Sequence, residues 1–169
     1  MSGYRELFEK GMGFAAFVAT GLDAEQEGVS RAEQRVAATG FSEATRQRMA
    51  AVARDYYLLA AGEMWCPDCQ VNLVALDALC AAQPRVRLAV ISKARAEQQL
   101  RDRLGLSKVS IPLVVVLDAG FEPIGLFIER PQAVIQGDEQ TLAAYKAAQM
   151  LDATLTDVLA IIESSHKGR

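Results

Sequence analysis

The chain has 169 residues, 51% of them hydrophobic in the broad sense and 23% charged, with a formal net charge of −3 from 18 basic and 21 acidic side chains. That length suits one domain, or one domain with an extension, and the apolar content is ample for a packed core, which excludes disorder as the main state. No block of Lys or Arg marks a nucleic-acid partner, and apolar runs such as Leu113–Leu117 fall far short of the roughly 20 residues of a membrane span.

The N-terminus does not read as a signal peptide. Arg5, Glu6, Glu9 and Lys10 cancel, and the run Phe14–Thr20 is short and followed by acidic residues. A cytoplasmic protein is the expectation. Residues 1–54 contain no proline and read as helices over about 3–20, 23–38 and 43–54, punctuated by Gly21 and Gly40. Ser42 is placed to cap the third, with Glu43 in its first turn. Met49, Val52, Ala53 and Tyr56 follow on one helical face. Phe8, Phe14, Phe17, Met49 and Val52 predict that this segment packs on the remainder of the chain as an ordered extension, the domain proper being residues 55–169.

From residue 55 the pattern changes. Residues 56–61, closed by Gly62, read as a buried strand. A helix follows to about Ala82, with Cys69, Leu73, Leu76 and Cys80 on one face, and Pro84 ends it. Val86–Ser92 is a second strand, and Lys93–Leu104 is a charged helix stopped by Gly105. The β-branched run Leu113–Leu117 predicts a central strand covered on both faces, with Pro112 at its start because proline donates no ladder bond. Asp118-Ala119-Gly120-Phe121 is a turn, and Ile124–Glu129 returns as the partner strand. Residues 139–164 read as a last helix with the stripe Ala144, Ala148, Leu151, Leu155, Val158 and Ile162. The order β-α-β-α-β-β-α, with a right-handed first crossover, predicts an α/β fold: a mixed four-stranded sheet with helices on both faces, plus the N-terminal helices.

The chemistry lies in Trp65-Cys66-Pro67-Asp68-Cys69 at the first strand-to-helix junction. Cys66 falls at a helix N-terminus, where unpaired N–H groups and the dipole favour a thiolate. Cys69 sits one turn on, covered by the turn where Cys66 is exposed, and close enough to form a disulfide after attack. Pro67 occupies the first turn, where its missing N–H is not needed. Trp65 offers a flat apolar surface to a protein substrate. A structural disulfide or half a zinc site is the competing reading of the pair. Zinc takes four ligands, and the remaining soft ligands are Cys80 and His166; Cys80 is roughly 21 Å further along the helix. No metal is expected. Cys80 is read as a core residue, His166 as solvated near the C-terminus, and Tyr56 and Tyr57 as strand packing.

These residues, with Ile111-Pro112 before a second strand, resemble the thioredoxin superfamily over about residues 55–163. The resemblance implies a thioredoxin-like fold, a cis Pro112 lying against the dithiol, and Ile111 backbone groups that pair with an extended substrate. It implies Cys66 as nucleophile and Cys69 as resolving thiol, with no cofactor. One family feature is missing: the buried Asp six residues before the first Cys is Ala60 here. Glu63 or Asp68 is the candidate substitute as proton acceptor, through water. Ser110-Ile111 also departs from the Thr-Val of glutaredoxins, so glutathione binding is not implied. Asp68 places a negative charge near the Cys66 sulfur, opposes the thiolate, and biases the pair to the reducing end. The expected function is reduction of protein disulfides, driven by a reductant the sequence does not identify. The competing function is a redox-regulated binding module with the dithiol as sensor.

Overall fold

The computed structural model describes residues 3–167. Met1, Ser2, Gly168 and Arg169, which the expected ranges 1–54 and 55–169 include, lie outside the described residues. Four strands, β1 (Tyr56–Gly62), β2 (Val86–Ser92), β3 (Leu113–Leu117) and β4 (Pro123–Ile128), form one sheet in the order β2-β1-β3-β4. β1 and β2 are parallel, with Tyr56 opposite Val86; β1–β3 and β3–β4 are antiparallel. Every residue of β3 is buried, as its β-branched composition requires.

Adjacent tyrosines on β1 show the two covered faces, because successive side chains point to opposite sides of a strand. The Tyr57 ring stacks on Phe121 at 4.0 Å and meets Phe8 of α1 (Gly3–Lys10) edge-on at 5.1 Å. Tyr56 points the other way, and its hydroxyl meets Ser165 Oγ and His166 Nε2, each at 3.0 Å, beyond the end of α9 (Leu151–Ser164). His166 is therefore half-buried and partnered, not solvated as the sequence suggested.

The N-terminal segment is helical, but its first helix is broken. α1 stops at Lys10, and α2 (Phe14–Ala19) starts after Gly11-Met12-Gly13. Met12 lies extended beside β2, exchanging two 2.8 Å hydrogen bonds with Val90. The bridge occupies part of the β2 edge, whose backbone groups otherwise face no strand. Gly11 permits the approach, since a Cβ there would come 2.9 Å from the Ala89 Cβ. The gain in sheet hydrogen bonding thus overrides the helical pattern over 3–20.

α3 (Asp23–Thr39) and α4 (Glu43–Ala50) complete the segment. Ser42 caps α4, accepting from Thr45 N at 3.1 Å. α4 ends at Ala50, four residues short of expectation, although Val52 is still buried. Asp152 of α9 accepts from Ser42 N and Thr45 Oγ1, each at 2.8 Å, and Arg48 makes a two-pronged pair with Glu163 at 2.8 and 2.9 Å. Leu7, Phe14, Phe17, Val29 and Ala32 share one apolar core with β1, β3, α9 and the long helix α5 (Pro67–Ala82).

α6 (Lys93–Leu104) ends on Gly105 in the left-handed conformation, as read from the sequence. The C-terminal region differs: a short α7 (Gln132–Ile135) precedes α8 (Glu139–Lys146), and α8 and α9 are separate helices. Ala148 makes the break, with φ +59 and its side chain buried. A left-handed alanine gives no sequence signal and is held by its surroundings. The bend turns Tyr145 of α8 toward α5, where its hydroxyl is bonded.

Candidate active site

β1 ends at Gly62, and the chain turns into α5 through Glu63-Met64-Trp65-Cys66. Cys66 is the N-cap residue of α5, and Pro67 is its first helical residue. Cys66 N donates to Glu63 O, and Cys66 O accepts from Gln70 N. Gly62 leaves room for the dithiol: a Cβ there would lie 3.2 Å from the Cys69 sulfur, a tight contact. The N-terminal helices brace the turn from outside. Gly21 fits against Met64, and Gly28 of α3 leaves room for Gln70, whose amide donates to Met64 O at 2.7 Å.

Both thiols are free, and both are buried. Cys66 is only 5% exposed, against the open position expected of a nucleophile, and Cys69 is fully buried. The cover on Cys66 comes partly from the cis-proline loop. The Ile111–Pro112 peptide is cis, and Cys66 Sγ lies 3.7 Å from Ile111 O. Trp65, the residue before Cys66, is 62% exposed.

The two sulfurs titrate in opposite directions. The Cys69 thiol donates a hydrogen bond to Cys66 and holds it at about 7; burial and the Asp68 charge act against this. The same hydrogen bond, together with burial, pushes Cys69 well above an ordinary thiol. The interaction favours a thiolate on Cys66 with the proton on Cys69. Cys80, toward the far end of α5, is pushed up to about 12 by burial and belongs to the packing.

The Glu63 and Asp68 carboxylates each have a hydrogen-bond partner other than Cys69. The Glu63 carboxylate accepts from Ala94 N at 3.3 Å, at the start of α6. Asp68 opposes the Cys66 thiolate, the direction read from the sequence, but its carboxylate is engaged. Arg130 Nε donates to Asp68 Oδ1 at 3.0 Å, and the Tyr145 hydroxyl donates to the same oxygen at 2.6 Å. Behind them the Asn72 side chain is fully buried: its amide nitrogen lies 2.9 Å from each of Asp68 O, Glu129 O and the Tyr145 oxygen, which share its two N–H groups, and its oxygen accepts from Thr154 Oγ1 at 2.7 Å. Glu129 N in turn donates to Pro112 O.

Arg130, Tyr145, Asn72 and Thr154 are the site residues that sequence reasoning missed. Asn72 alone carried a signal, being a polar side chain amid Val71, Leu73, Val74, Ala75 and Leu76 on a buried helix. The other three become neighbours only through the fold. Among the described residues no three His, Cys, Asp or Glu side chains gather as a metal site, and no helix is long and apolar enough to cross a membrane.

The chain is similar to a protein of unknown function from Pseudomonas aeruginosa, known from a crystal structure. Identity is 53% and the TM-score 0.94, over 98% of this chain and 99% of that one. It is also similar to an HIV epitope-scaffold at 50% identity and a TM-score of 0.93, over 95% of this chain and 98% of the scaffold. No curated protein matches. The family model described as thioredoxin matches residues 11–148, a span that takes in the dithiol turn, the cis proline, Arg130 and Tyr145. The chain belongs to the thioredoxin family.

Proposed function

We propose that the protein is a thiol–disulfide oxidoreductase that reduces protein disulfides through Cys66 and Cys69. The observation that carries this reading is the split of the two thiols: Cys66 at a helix N-terminus, held at about 7, and Cys69 buried beneath it with its proton retained. A lowered Cys66 thiol favours the thiolate, the nucleophilic form, near neutral pH.

The Cys66 thiolate attacks one sulfur of a substrate disulfide. The Cys66–substrate bond forms, the substrate S–S bond breaks, and its second sulfur leaves as a thiolate. Loss of the Cys66 charge removes what held the proton on Cys69. Cys69 then gives its proton to the substrate thiolate just released and attacks Cys66, closing the Cys66–Cys69 disulfide and releasing the substrate's other sulfur as a thiolate. The substrate gains two electrons and the enzyme loses two, which an external thiol reductant restores. Ile111 O and the exposed Trp65 flank the place where the substrate sulfur must arrive. Pro67 starts the helix without using a donor, Asp68 tempers the thiolate, and Glu63 O anchors the Cys66 amide.

The cytoplasm, kept reducing, is the compartment where such a dithiol works as a reductant. A Cys66 near 7 stabilises the reduced pair far less than a thiol near 3.5 does in strong oxidants. The potential is therefore expected nearer about −270 mV than about −120 mV. Two assays check the proposal. Insulin disulfides should be reduced over many turnovers with dithiothreitol as the reductant, and equilibration with glutathione should return a low potential. One stoichiometric oxidation without turnover would instead favour a redox-regulated binding module, and a potential above about −200 mV would overturn the reducing assignment.

A further inference from the structure

We propose that Arg130 is a positioning residue for the Cys66 nucleophile: with Tyr145 it tethers the Asp68 carboxylate, keeping that charge off the sulfur and off the helix end that the thiolate uses. The inference rests on Cys66 being the nucleophile. Asp68 is the second residue of α5, in the first turn, where a free carboxylate is drawn to the same backbone N–H groups and dipole that favour a thiolate at Cys66. Two anions at one helix end disfavour each other. Here the carboxylate is turned aside. Arg130 Nε lies 3.0 Å and the Tyr145 hydroxyl 2.6 Å from its Oδ1.

The tether is built and not a chance surface pair. The paired side chains of Asp68 and Arg130 are 17% and 32% exposed. Glu129, at φ +67, takes the left-handed backbone that carries the chain from β4 to Arg130. Its carbonyl is bound by Asn72 and its amide by Pro112 O, which ties Arg130 to both the dithiol helix and the cis-proline loop. The groups facing Asp68 are Arg130 from the end of β4, Tyr145 from α8, and Asn72 from α5 itself. Glu129 adds a carboxylate 3.9 Å from Arg130, and Thr154 of α9 backs Asn72.

The test is the rate at which iodoacetamide alkylates Cys66 in the reduced full-length protein, followed by mass spectrometry from pH 5 to pH 9. Arg130→Gln should slow alkylation at pH 6 by about three- to tenfold and move the profile to higher pH, since raising a midpoint by about one pH unit lowers the thiolate fraction about tenfold below it. Arg130→Lys should restore most of the rate. Tyr145→Phe, which removes a single hydroxyl, should move the profile the same way by less, and reports even if Arg130→Gln folds poorly. Asp68→Asn should speed alkylation, and adding Arg130→Gln to it should change the rate less than about twofold. An unchanged profile in Arg130→Gln and Tyr145→Phe would overturn the proposal. So would an equal slowing by Arg130→Gln with and without Asp68, which would place the action of Arg130 on the sulfur directly. Reductase turnover plays no part in this readout, so loss of the oxidoreductase reading and loss of this one are told apart.

Discussion

Cys69→Ser is expected to accumulate a mixed disulfide between Cys66 and a protein substrate, whereas Cys66→Ser should lose disulfide reduction altogether. The asymmetry follows from placement. Cys69 is fully buried under Gly62, out of a substrate's reach, and burial raises its thiol even where the Cys66 sulfur is absent. A lone Cys69 is thus a poor first attacker, since the thiolate is the nucleophile. Cys66 keeps its helix-end position without Cys69, and a serine hydroxyl at 69 still offers it a hydrogen bond. Attack then proceeds, but serine does not resolve the adduct. Cys69→Ala, which removes that donor, should in addition raise the Cys66 midpoint above about 7 and slow trapping near neutral pH. Non-reducing electrophoresis after incubation with insulin, with peptide mapping of the adduct, reads both outcomes. An adduct on Cys69 in the Cys66→Ser protein would contradict the assignment.

Asn72→Leu should lower stability by about 2–4 kcal/mol, although leucine fits the apolar helix around it. Asn72 is fully buried and hydrogen-bonds to Asp68 O, Glu129 O, the Tyr145 hydroxyl and Thr154 Oγ1. Leucine replaces the amide but leaves the Thr154 hydroxyl and the Glu129 carbonyl without that partner, and a stranded buried polar group costs more than a made hydrogen bond gains. For a chain of this size the loss corresponds to a fall in melting temperature of about 5–15 °C. Thermal unfolding followed by circular dichroism measures it. A fall below about 2 °C would mean that the network adds little to stability.

The sheet and the dithiol turn were legible because their signals are local. A β-branched run between turn residues marks a buried strand, and the spacing of Cys66-Pro67-Asp68-Cys69 before an apolar helix puts both sulfurs at its first turn. The N-terminal helix was misjudged where a long-range bond won: Met12 follows the edge of β2 because two hydrogen bonds to Val90 outweigh a continuous helix. The break at Ala148 has no glycine or proline to announce it; the residue is buried at φ +59, and Tyr145 just before it bonds to α5. Cys66 looked open from its place at a helix end, but the cis-proline loop that covers it is 45 residues away in sequence. Asp68 was read with the correct sign of effect, yet its counter-ion was invisible, because Arg130 reaches it only across the fold.

Everything proposed for the dithiol depends on which sulfur is the nucleophile. Competitive alkylation of the reduced wild-type protein, with each cysteine quantified by peptide mass spectrometry across pH, answers this without a substrate. Cys66 should react first, with a midpoint at about 7, while Cys69 and Cys80 stay nearly inert. Faster reaction at Cys69, or a Cys66 midpoint at the ordinary thiol value of about 8.5, would contradict it.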